Sequence, residues 1–299
     1  MQPAIADWQP DMRLVGLIRL MRPANIITAY ADILAGYAAA LTATPAALPF
    51  LLLATTGLYG GGVVFNDVFD AGLDAEERPE RPIPSGTVSM TAAVVLGAAL
   101  LLGGMLFAWR WSPLSGVVAA GITVAALLYN RFGKHHSLLG PINMGLCRSL
   151  NLMLGVTAGS RITGFHWLIA GIPLCYIAGI TSLSAGEVRG GTRGAAIVSG
   201  LWLMAAVALF LVLAISQGLR AGWCLPFAAV LLFRIFAPFR RAFHSLTAAA
   251  IRGAVKMGIL SLILVNACLA AVFAGPWYAV GVLMLYLPAI LLAKIFAVT

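Results

Sequence analysis

Apolar stretches of about 17–22 residues recur along the whole chain, and each is long enough to cross the roughly 30 Å hydrocarbon core of a bilayer as a helix. Charged residues make up only 10% of the sequence, and the mean hydropathy is +0.97. Soluble domains carry about 25% charged residues. The chain therefore has too little polar surface to face water all round, and we predict that the bilayer is its main solvent.

The apolar stretches predict an all-α, polytopic membrane protein with a single domain over residues 1–299. Ten spans fit the pattern, and nine spans with one partly inserted segment fit it as well. Basic and apolar residues alternate between Arg13 and Met21, so residues 1–22 are expected to include an interfacial helix. The predicted spans are 23–42, 46–66, 90–110, 113–130, 138–159, 164–183, 195–216, 220–236, 255–274 and 277–297.

The basic residues are distributed unevenly between the two sides of this arrangement. Of the 19 Lys and Arg residues, fifteen lie in loops or at span ends on the side of the N-terminus, and three lie on the other side. Arg148 alone falls in the middle of a span. Such an excess predicts that the N-terminus and the loops on its side are cytoplasmic. It also explains the net charge of +9, and the sequence contains no basic run that would indicate nucleic-acid binding.

Most of the acidic residues leave the end of one predicted helix. Six of the ten Asp and Glu residues lie between positions 67 and 80. If the second span continues as a helix, Asn66, Asp70 and Asp74 are spaced i, i+4, i+8, and Asp67 joins the same face. Oxygen ligands without His or Cys suit Mg²⁺, which takes one or two protein carboxylates and shares its other positions with water and substrate phosphate. We therefore predict that these four residues bind Mg²⁺.

A second interpretation of this segment is a solvated acidic helix end that is paired with Arg78 and Arg81. The scarcity of acid elsewhere in the chain favours the metal site. The loop that follows reads Arg78-Pro79-Glu80-Arg81-Pro82-Ile83-Pro84-Ser85-Gly86. Its three prolines make it stiff, so that Arg81 is expected to hold a phosphate at little cost in ordering entropy.

The pattern NDxxDxxxD followed by RPxRPIPSG, at the end of the second of many apolar helices, resembles the UbiA superfamily of intramembrane prenyltransferases. Arg22-Pro23-Ala24-Asn25 resembles the RPxN element of that family. The resemblance implies a helical bundle around a central cavity that is open to lipid. It also implies Mg²⁺-dependent transfer of a prenyl group from a prenyl diphosphate to a lipophilic acceptor, which we expect to be aromatic. Asp67, Asp70 and Asp74 would then be catalytic.

The second acidic motif of the family is degenerate here. Its place after the sixth predicted span contains Glu187 as the one acidic residue, with Thr181 and Ser184 nearby. We predict that Glu187 is a catalytic metal ligand, and the alternative is that it merely pairs with Arg189 or Arg193. The SxxEVxGG form resembles a divergent branch, the EboC-like proteins of bacterial secondary-metabolism clusters. This resemblance implies a bacterial-type inner membrane.

Several cations and amides are candidates for substrate binding. Arg81, Lys134 and Arg189 are expected to contact the diphosphate, although Lys134 is equally explained as a positive-inside charge. Arg148 lies at depth in a span, as does Asp32, and such groups face a cavity or each other. A structural Asp32–Arg148 pair is thus an alternative to substrate contact. The predicted substrate-binding residues are Arg22, Asn25, Asn66, Arg81, Lys134, Arg148 and Arg189.

The leading hypothesis from the sequence is a membrane prenyltransferase. A non-catalytic protein that binds or moves an isoprenoid on the same scaffold is the first alternative, because the second motif is weak. A transporter that uses Asp32 and Arg148 as coupling charges is the second alternative. The oxygen-rich face and the RPxRPIPSG loop count against the transporter.

Overall fold

A computed structural model of the protein describes residues 12–40, 42–133 and 136–296, and every regular element in these ranges is helical. The helices are α1 (Met12–Met21), α2 (Pro23–Ala39), α3 (Ala47–Glu77), α4 (Met90–Trp111), α5 (Pro113–Arg131), α6 (Leu139–Val156), α7 (Gly164–Ser184), α8 (Arg193–Gln217), α9 (Leu225–Ser245), α10 (Ala248–Ala274), α11 (Pro276–Leu283) and α12 (Tyr286–Ile295). A short 3-10 helix, Gly218–Cys224, joins α8 to α9.

The described ranges contain seven segments that are long and apolar enough to cross a membrane. One of them, Arg193–Ser245, has 53 residues and comprises α8, the 3-10 helix and α9. At about 1.5 Å per residue it is too long for one crossing. The helices α2 and α6 fall outside the seven and pack within the bundle. The predicted all-α polytopic fold is confirmed. The tenth predicted span corresponds to the candidate span Pro276–Ile295, in which a short turn separates α11 from α12.

The helix of the second predicted span does not end at residue 66, because α3 continues to Glu77, as the spacing of the acidic motif requires. No proline follows Asn66 until Pro79, so nothing interrupts the helix before that point. The backbone N–H of Arg78 donates the last helical hydrogen bond to the carbonyl of Asp74, at 2.8 Å. A helix of 31 residues is about 46 Å long, so its final turns extend beyond a hydrocarbon core of about 30 Å. The acidic motif lies on these final turns.

Hydroxyl side chains fix where four of the long helices begin. Ser89, Ser112, Thr192 and Thr247 each accept a hydrogen bond from the backbone N–H three residues later, at 3.1–3.4 Å. Each bond satisfies one of the N–H groups that a helix leaves unpaired at its first turn. The caps thus set the starts of α4, α5, α8 and α10.

The first predicted element, the interfacial helix within residues 1–22, corresponds in part to α1. Residues 1–11 lie outside the described ranges. In α1, Leu20 is buried against Val64 of α3 and Val88, whereas Met12 and Leu14 are exposed. The helix therefore lies against the end of α3 and places Arg22 beside the acidic motif.

The central helix α2 approaches α6 without intervening side chains. A Cβ atom on Gly36 would overlap the carbonyl oxygen of Leu152, and one on Gly155 would overlap the carbonyl oxygen of Ile33. Small residues permit such backbone contact between membrane helices. The contact brings the polar side chains of α2 and α6 together in the middle of the bundle.

Replacing Gly155 with Ala is therefore expected to destabilise the fold by about 1–3 kcal/mol, the usual cost of overpacking. Thermal unfolding in detergent measures the change. Gly103→Ala is the matched control, because nothing lies within 4 Å of a Cβ at Gly103 on α4. The control is expected to be neutral or slightly stabilising, since Ala favours helix over Gly. Equal unfolding temperatures for the two variants would contradict the close α2–α6 contact.

Candidate active site

A cavity of about 350 Å³ lies between the helices and combines a polar mouth with apolar walls. The final turns of α3 and the loop after α7 form the mouth. Deeper in, Leu58, Ile122, Ile177 and Ile259 line the walls, and Arg148 lies at the same level as Tyr59. A prenyl diphosphate has the same division into a polar head and an apolar chain.

The helical spacing predicted for the acidic motif is present, but its four members do not share one environment. Asn66, Asp70 and Asp74 line the cavity. Asp67 is not among the lining residues and is buried at 5% exposure. The final residue of α3, Glu77, lines the cavity as well, so α3 presents an amide and three carboxylates to it. Asp67 points toward neighbouring arginines.

Two arginines hold these carboxylates in place. Arg22 donates from Nη2 to Oδ1 of Asp67 at 2.7 Å. Arg81 donates from Nη1 to Oδ2 of Asp74 at 2.7 Å and lies 3.3 Å from Oδ1 of Asp67. Because all four side chains are largely shielded from water, these pairs are stronger than exposed ion pairs. Asp67 thus positions both arginines at the cavity mouth.

Arg22 also has an unusual backbone conformation. It joins α1 to α2 with φ 48° and ψ 69°, in the left-handed region. A residue with a Cβ atom pays roughly 1–2 kcal/mol for this conformation. Its ion pair with Asp67 offsets part of this cost, and strained residues of this kind cluster at functional sites.

Glu187 faces the acidic end of α3 across the cavity. Its side chain lines the cavity at 9% exposure, and its Oε1 atom has no hydrogen-bond partner in the described part of the chain. Burial raises the pKa of this carboxyl, against the lowering effect of Arg78, Arg22, Arg252 and Arg81. The predicted pairing with Arg189 or Arg193 does not form; instead Arg252 donates to the backbone carbonyl of Glu187 at 2.6 Å.

The chemistry of these donors fits Mg²⁺. The possible metal ligands at the cavity are oxygen atoms of Asn66, Asp70, Asp74 and Glu187. The Oε1 atom of Glu187 is buried and accepts no hydrogen bond in the described part of the chain. Within the described ranges, no three acidic, His or Cys side chains converge on one point. A Mg²⁺ ion held by one or two of these carboxylates would complete its coordination shell with water and substrate phosphate.

A buried polar network closes the inner end of the cavity. Arg148 donates to Oδ2 of Asp32 at 2.9 Å and to the hydroxyl of Thr28 at 2.7 Å, and its guanidinium lies 4.6 Å from the ring centroid of Tyr59. Asn151 and Asn266 donate to the two oxygens of Asp32, at 3.0 and 2.7 Å. The predicted structural Asp32–Arg148 pair is thus present. Arg148 and Asn25 nevertheless also line the cavity.

The remaining predicted cations have different positions. Arg189 is 87% exposed, lies 3.6 Å from Glu77, and does not line the cavity. Lys134 lies outside the described residues. Arg78 does line the cavity, although the sequence predicted it only as an ion-pair partner of the acidic segment. Arg78 follows Asp74 by four residues, and this i, i+4 spacing could have predicted that both lie at the cavity.

The family model of the UbiA prenyltransferase family matches residues 29–257 of the sequence. The chain belongs to the UbiA prenyltransferase family. It is accordingly a multi-pass integral membrane protein and a prenyltransferase-type enzyme. The family match runs from within α2 into the first part of α10. It contains the described cavity-lining residues except Arg22, Asn25 and Ile259.

Curated relatives of this UbiA family member include two archaeal proteins named digeranylgeranylglyceryl phosphate synthase. The protein of Ignicoccus hospitalis is 28% identical over 86% of this chain and 82% of its own length. The protein of Methanoculleus marisnigri is 30% identical over 64% of this chain and 70% of its own. These relatives do not support the predicted EboC-like branch.

Solved structures confirm the UbiA fold. The UbiA homolog from Aeropyrum pernix has a TM-score of 0.67 at 18% identity, covering 89% of this chain and 98% of that one. A UbiA homolog from Archaeoglobus fulgidus, solved with GPP and Mg²⁺, has a TM-score of 0.55 at 14% identity, covering 90% and 99%.

Proposed function

We propose that the protein transfers a prenyl group from a prenyl diphosphate to a lipophilic acceptor within the membrane, in a Mg²⁺-dependent reaction. The observation that carries this proposal is the cavity itself. Asn66, Asp70 and Asp74 face Glu187 across a polar mouth, and apolar walls continue inward. The homolog solved with GPP and Mg²⁺ supports the same assignment.

The residues at the mouth have distinct proposed roles. Asn66, Asp70, Asp74 and Glu187 would hold Mg²⁺, which supplies Lewis-acid stabilisation of the leaving diphosphate when it is bound. Arg22, Arg78 and Arg81 lie at the same end and stabilise the negative charge that develops on the diphosphate.

The walls serve the other half of the reaction. Leu58, Ile122, Ile177 and Ile259 line the cavity without polar groups and exclude water from the prenyl carbon as it becomes electron-deficient. Water is the competing nucleophile, so its exclusion favours transfer over hydrolysis. Arg148 does not add a net charge at this depth, because Asp32 compensates it.

The acceptor that we now propose differs from the aromatic acceptor expected from the sequence. The relatives are named for the product digeranylgeranylglyceryl phosphate, whose acceptor half is not aromatic. A prenylated glyceryl phosphate is therefore our first candidate, and an aromatic acceptor is the second. The orientation with the N-terminus and the cavity mouth in the cytoplasm stays a proposal from the basic residues. The relatives named here are archaeal and do not determine the type of membrane that holds this chain.

Release of pyrophosphate by the purified protein in lipid tests the function. Prenyl diphosphates of several lengths are supplied with geranylgeranylglyceryl phosphate or with an aromatic acceptor, with and without Mg²⁺. We expect release to require Mg²⁺, which would stabilise the leaving diphosphate. We also expect it to require an acceptor, because the apolar walls exclude water as a competing nucleophile. Labelled product identifies the acceptor class.

The same experiment distinguishes a prenyltransferase from the first alternative that the sequence allowed, a non-catalytic protein that binds or moves an isoprenoid. Mg²⁺-dependent binding of the donor without release, in the presence of both acceptor classes and native lipids, would contradict catalysis. Release without Mg²⁺ would contradict the proposed metal site. Gradient-driven uptake of solute with neither binding nor release would favour the transporter.

A further inference from the structure

The loop 185–192 joins α7 to α8 and carries Glu187. Its backbone is tightly turned. The N–H of Glu187 donates to the carbonyl of Ser184 at 3.0 Å, and the N–H of Gly190 donates to the carbonyl of Gly186 at 3.1 Å. The loop is therefore a compact series of turns, and the place of Glu187 depends on what this loop packs against.

The loop packs against the junction of α9 and α10. The backbone N–H of Gly191 donates to the carbonyl of Leu246 at 2.9 Å. A Cβ atom on Gly186 or on Gly191 would lie 2.7 Å from Cδ1 of Ile251, so glycine at these positions permits the close approach. Gly190 has φ 92°, a conformation that favours glycine. The glycines of the degenerate second motif thus serve to dock the loop on α10.

Arg252, near the start of α10, contacts the residue of this loop that lines the cavity. Its Nη1 atom donates to the backbone carbonyl of Glu187 at 2.6 Å. A hydrogen bond from a charged donor is roughly twice as strong as one between neutral groups. Within the described ranges Arg252 forms no ion pair, so its guanidinium contacts the loop backbone and not a carboxylate.

The position of the Glu187 backbone matters because little else holds its side chain. Asp74 is held by an ion pair with Arg81 at 2.7 Å, whereas Glu187 forms no ion pair in the described part of the chain. The second motif also contains a single carboxylate, so no neighbouring acidic residue can take its place. Groups that orient metal ligands from outside the coordination shell typically change metal affinity about 10–100-fold when they are replaced.

We propose that Arg252 is a positioning residue for the Mg²⁺ site: it fixes the backbone of Glu187 and thereby holds the Glu187 carboxylate opposite the acidic end of α3. The inference rests on the proposed function, because it takes Glu187 as a ligand of Mg²⁺. Arg252 does not line the cavity, so it acts through Glu187 and not by contact with the diphosphate. The start of α10 thus contributes to a site whose ligands lie on α3 and on the loop after α7.

Hydrogen–deuterium exchange of the full-length protein in detergent, without Mg²⁺, tests the contact itself. Arg252→Met removes the donor and keeps an apolar stem. We expect the amides of loop 185–192 to exchange about tenfold faster in this variant, because the loop opens more readily without the charged hydrogen bond. Lys256→Met is the matched control, since it removes an exposed cation one turn further along α10. The control is expected to leave exchange of the loop unchanged.

The Mg²⁺ concentration that gives half-maximal pyrophosphate release tests the positioning role. We expect it to rise about tenfold in Arg252→Met and to stay at the wild-type value in Lys256→Met. The KM for the prenyl diphosphate at saturating Mg²⁺ is expected to stay close to that of wild type. The direction of the Mg²⁺ effect is diagnostic, because removing a nearby cation would by itself strengthen Mg²⁺ binding.

Arg252→Lys keeps a cationic donor at the same position. We expect this variant to show smaller changes than Arg252→Met, in the same direction, both in exchange of the loop and in the Mg²⁺ requirement. Thermal unfolding in detergent is expected to give the same temperature for wild type and for all three variants, because the contact is local.

Three results would overturn the proposal. Unchanged exchange of loop 185–192 in Arg252→Met would overturn the contact. Faster exchange with an unchanged or lower Mg²⁺ requirement would leave the contact without a role at the metal site. A raised KM with an unchanged Mg²⁺ requirement would assign Arg252 to the diphosphate. Failure of the proposed function is distinguishable from these results, because it appears as the absence of Mg²⁺-dependent release in the wild-type protein.

Discussion

Replacing Asp70 with Asn is expected to lower Mg²⁺-dependent pyrophosphate release about 100-fold or more. Asp70 is a cavity-lining carboxylate in the middle of the α3 face, between Asn66 and Asp74. Metal-ion stabilisation of a leaving group contributes several kcal/mol, and each 1.36 kcal/mol changes the rate tenfold. We expect a rise in the Mg²⁺ concentration that gives half-maximal rate. The measurement is the initial rate over a Mg²⁺ titration.

Glu187→Gln is also expected to lower the rate of pyrophosphate release and to raise the Mg²⁺ concentration that gives half-maximal rate, because Glu187 lines the other side of the cavity. Its Oε1 atom is buried without a hydrogen-bond partner in the described part of the chain, which leaves this atom available to a bound Mg²⁺. Glu76→Gln is the matched control, because Glu76 is exposed on α3 and does not line the cavity. The proposed metal site would be contradicted if Asp70→Asn and Glu187→Gln both showed the same rates and the same Mg²⁺ dependence as the wild-type protein.

Asp67→Asn is expected to behave differently from Asp70→Asn, although the sequence places both in one motif. Asp67 contacts Arg22 and Arg81 and does not line the cavity. Its loss would release the arginines, so the KM for the prenyl diphosphate should rise while the Mg²⁺ dependence stays close to that of wild type. An identical response of the two variants would instead assign Asp67 to the metal.

Replacing Asp32 with Asn is expected to destabilise the protein by about 3–5 kcal/mol, because it leaves Arg148 charged and unpaired in the bundle interior. Asp32 is fully buried and joins α2 to α6 and α10 through Arg148, Asn151 and Asn266. Chemical or thermal unfolding in detergent measures the loss.

The double variant Asp32→Asn with Arg148→Met is the internal control for this prediction. Removing both charges is often neutral compared with removing one. We therefore expect the double variant to be more stable than Asp32→Asn alone. Additive destabilisation of the two changes would mean that the charges do not act as a pair.

The catalytic consequence of this network can be measured separately. Arg148 lines the cavity and stacks on Tyr59, so the double variant is expected to transfer prenyl groups more slowly even where its fold recovers. A fully active double variant would restrict Arg148 to a structural role.

The helical bundle and the shared face of Asn66, Asp70 and Asp74 could both be predicted from the sequence. Both depend on local geometry, because apolar length decides where a helix spans the membrane and the i, i+4 spacing decides which residues share a face. The same local rule could not separate Asp67 from Asp70. Their difference depends on Arg22, which is 45 residues from Asp67 in the chain.

The long-range partners of the buried polar residues could not be predicted from the sequence and were found in the tertiary structure. Asp32 meets Arg148 across 116 residues and Asn266 across 234 residues, because α2 lies between α6 and α10. It also placed Arg78 at the cavity and Arg189 away from it. No periodicity encodes such contacts, since they arise when separate helices pack and bury polar groups that must then find partners.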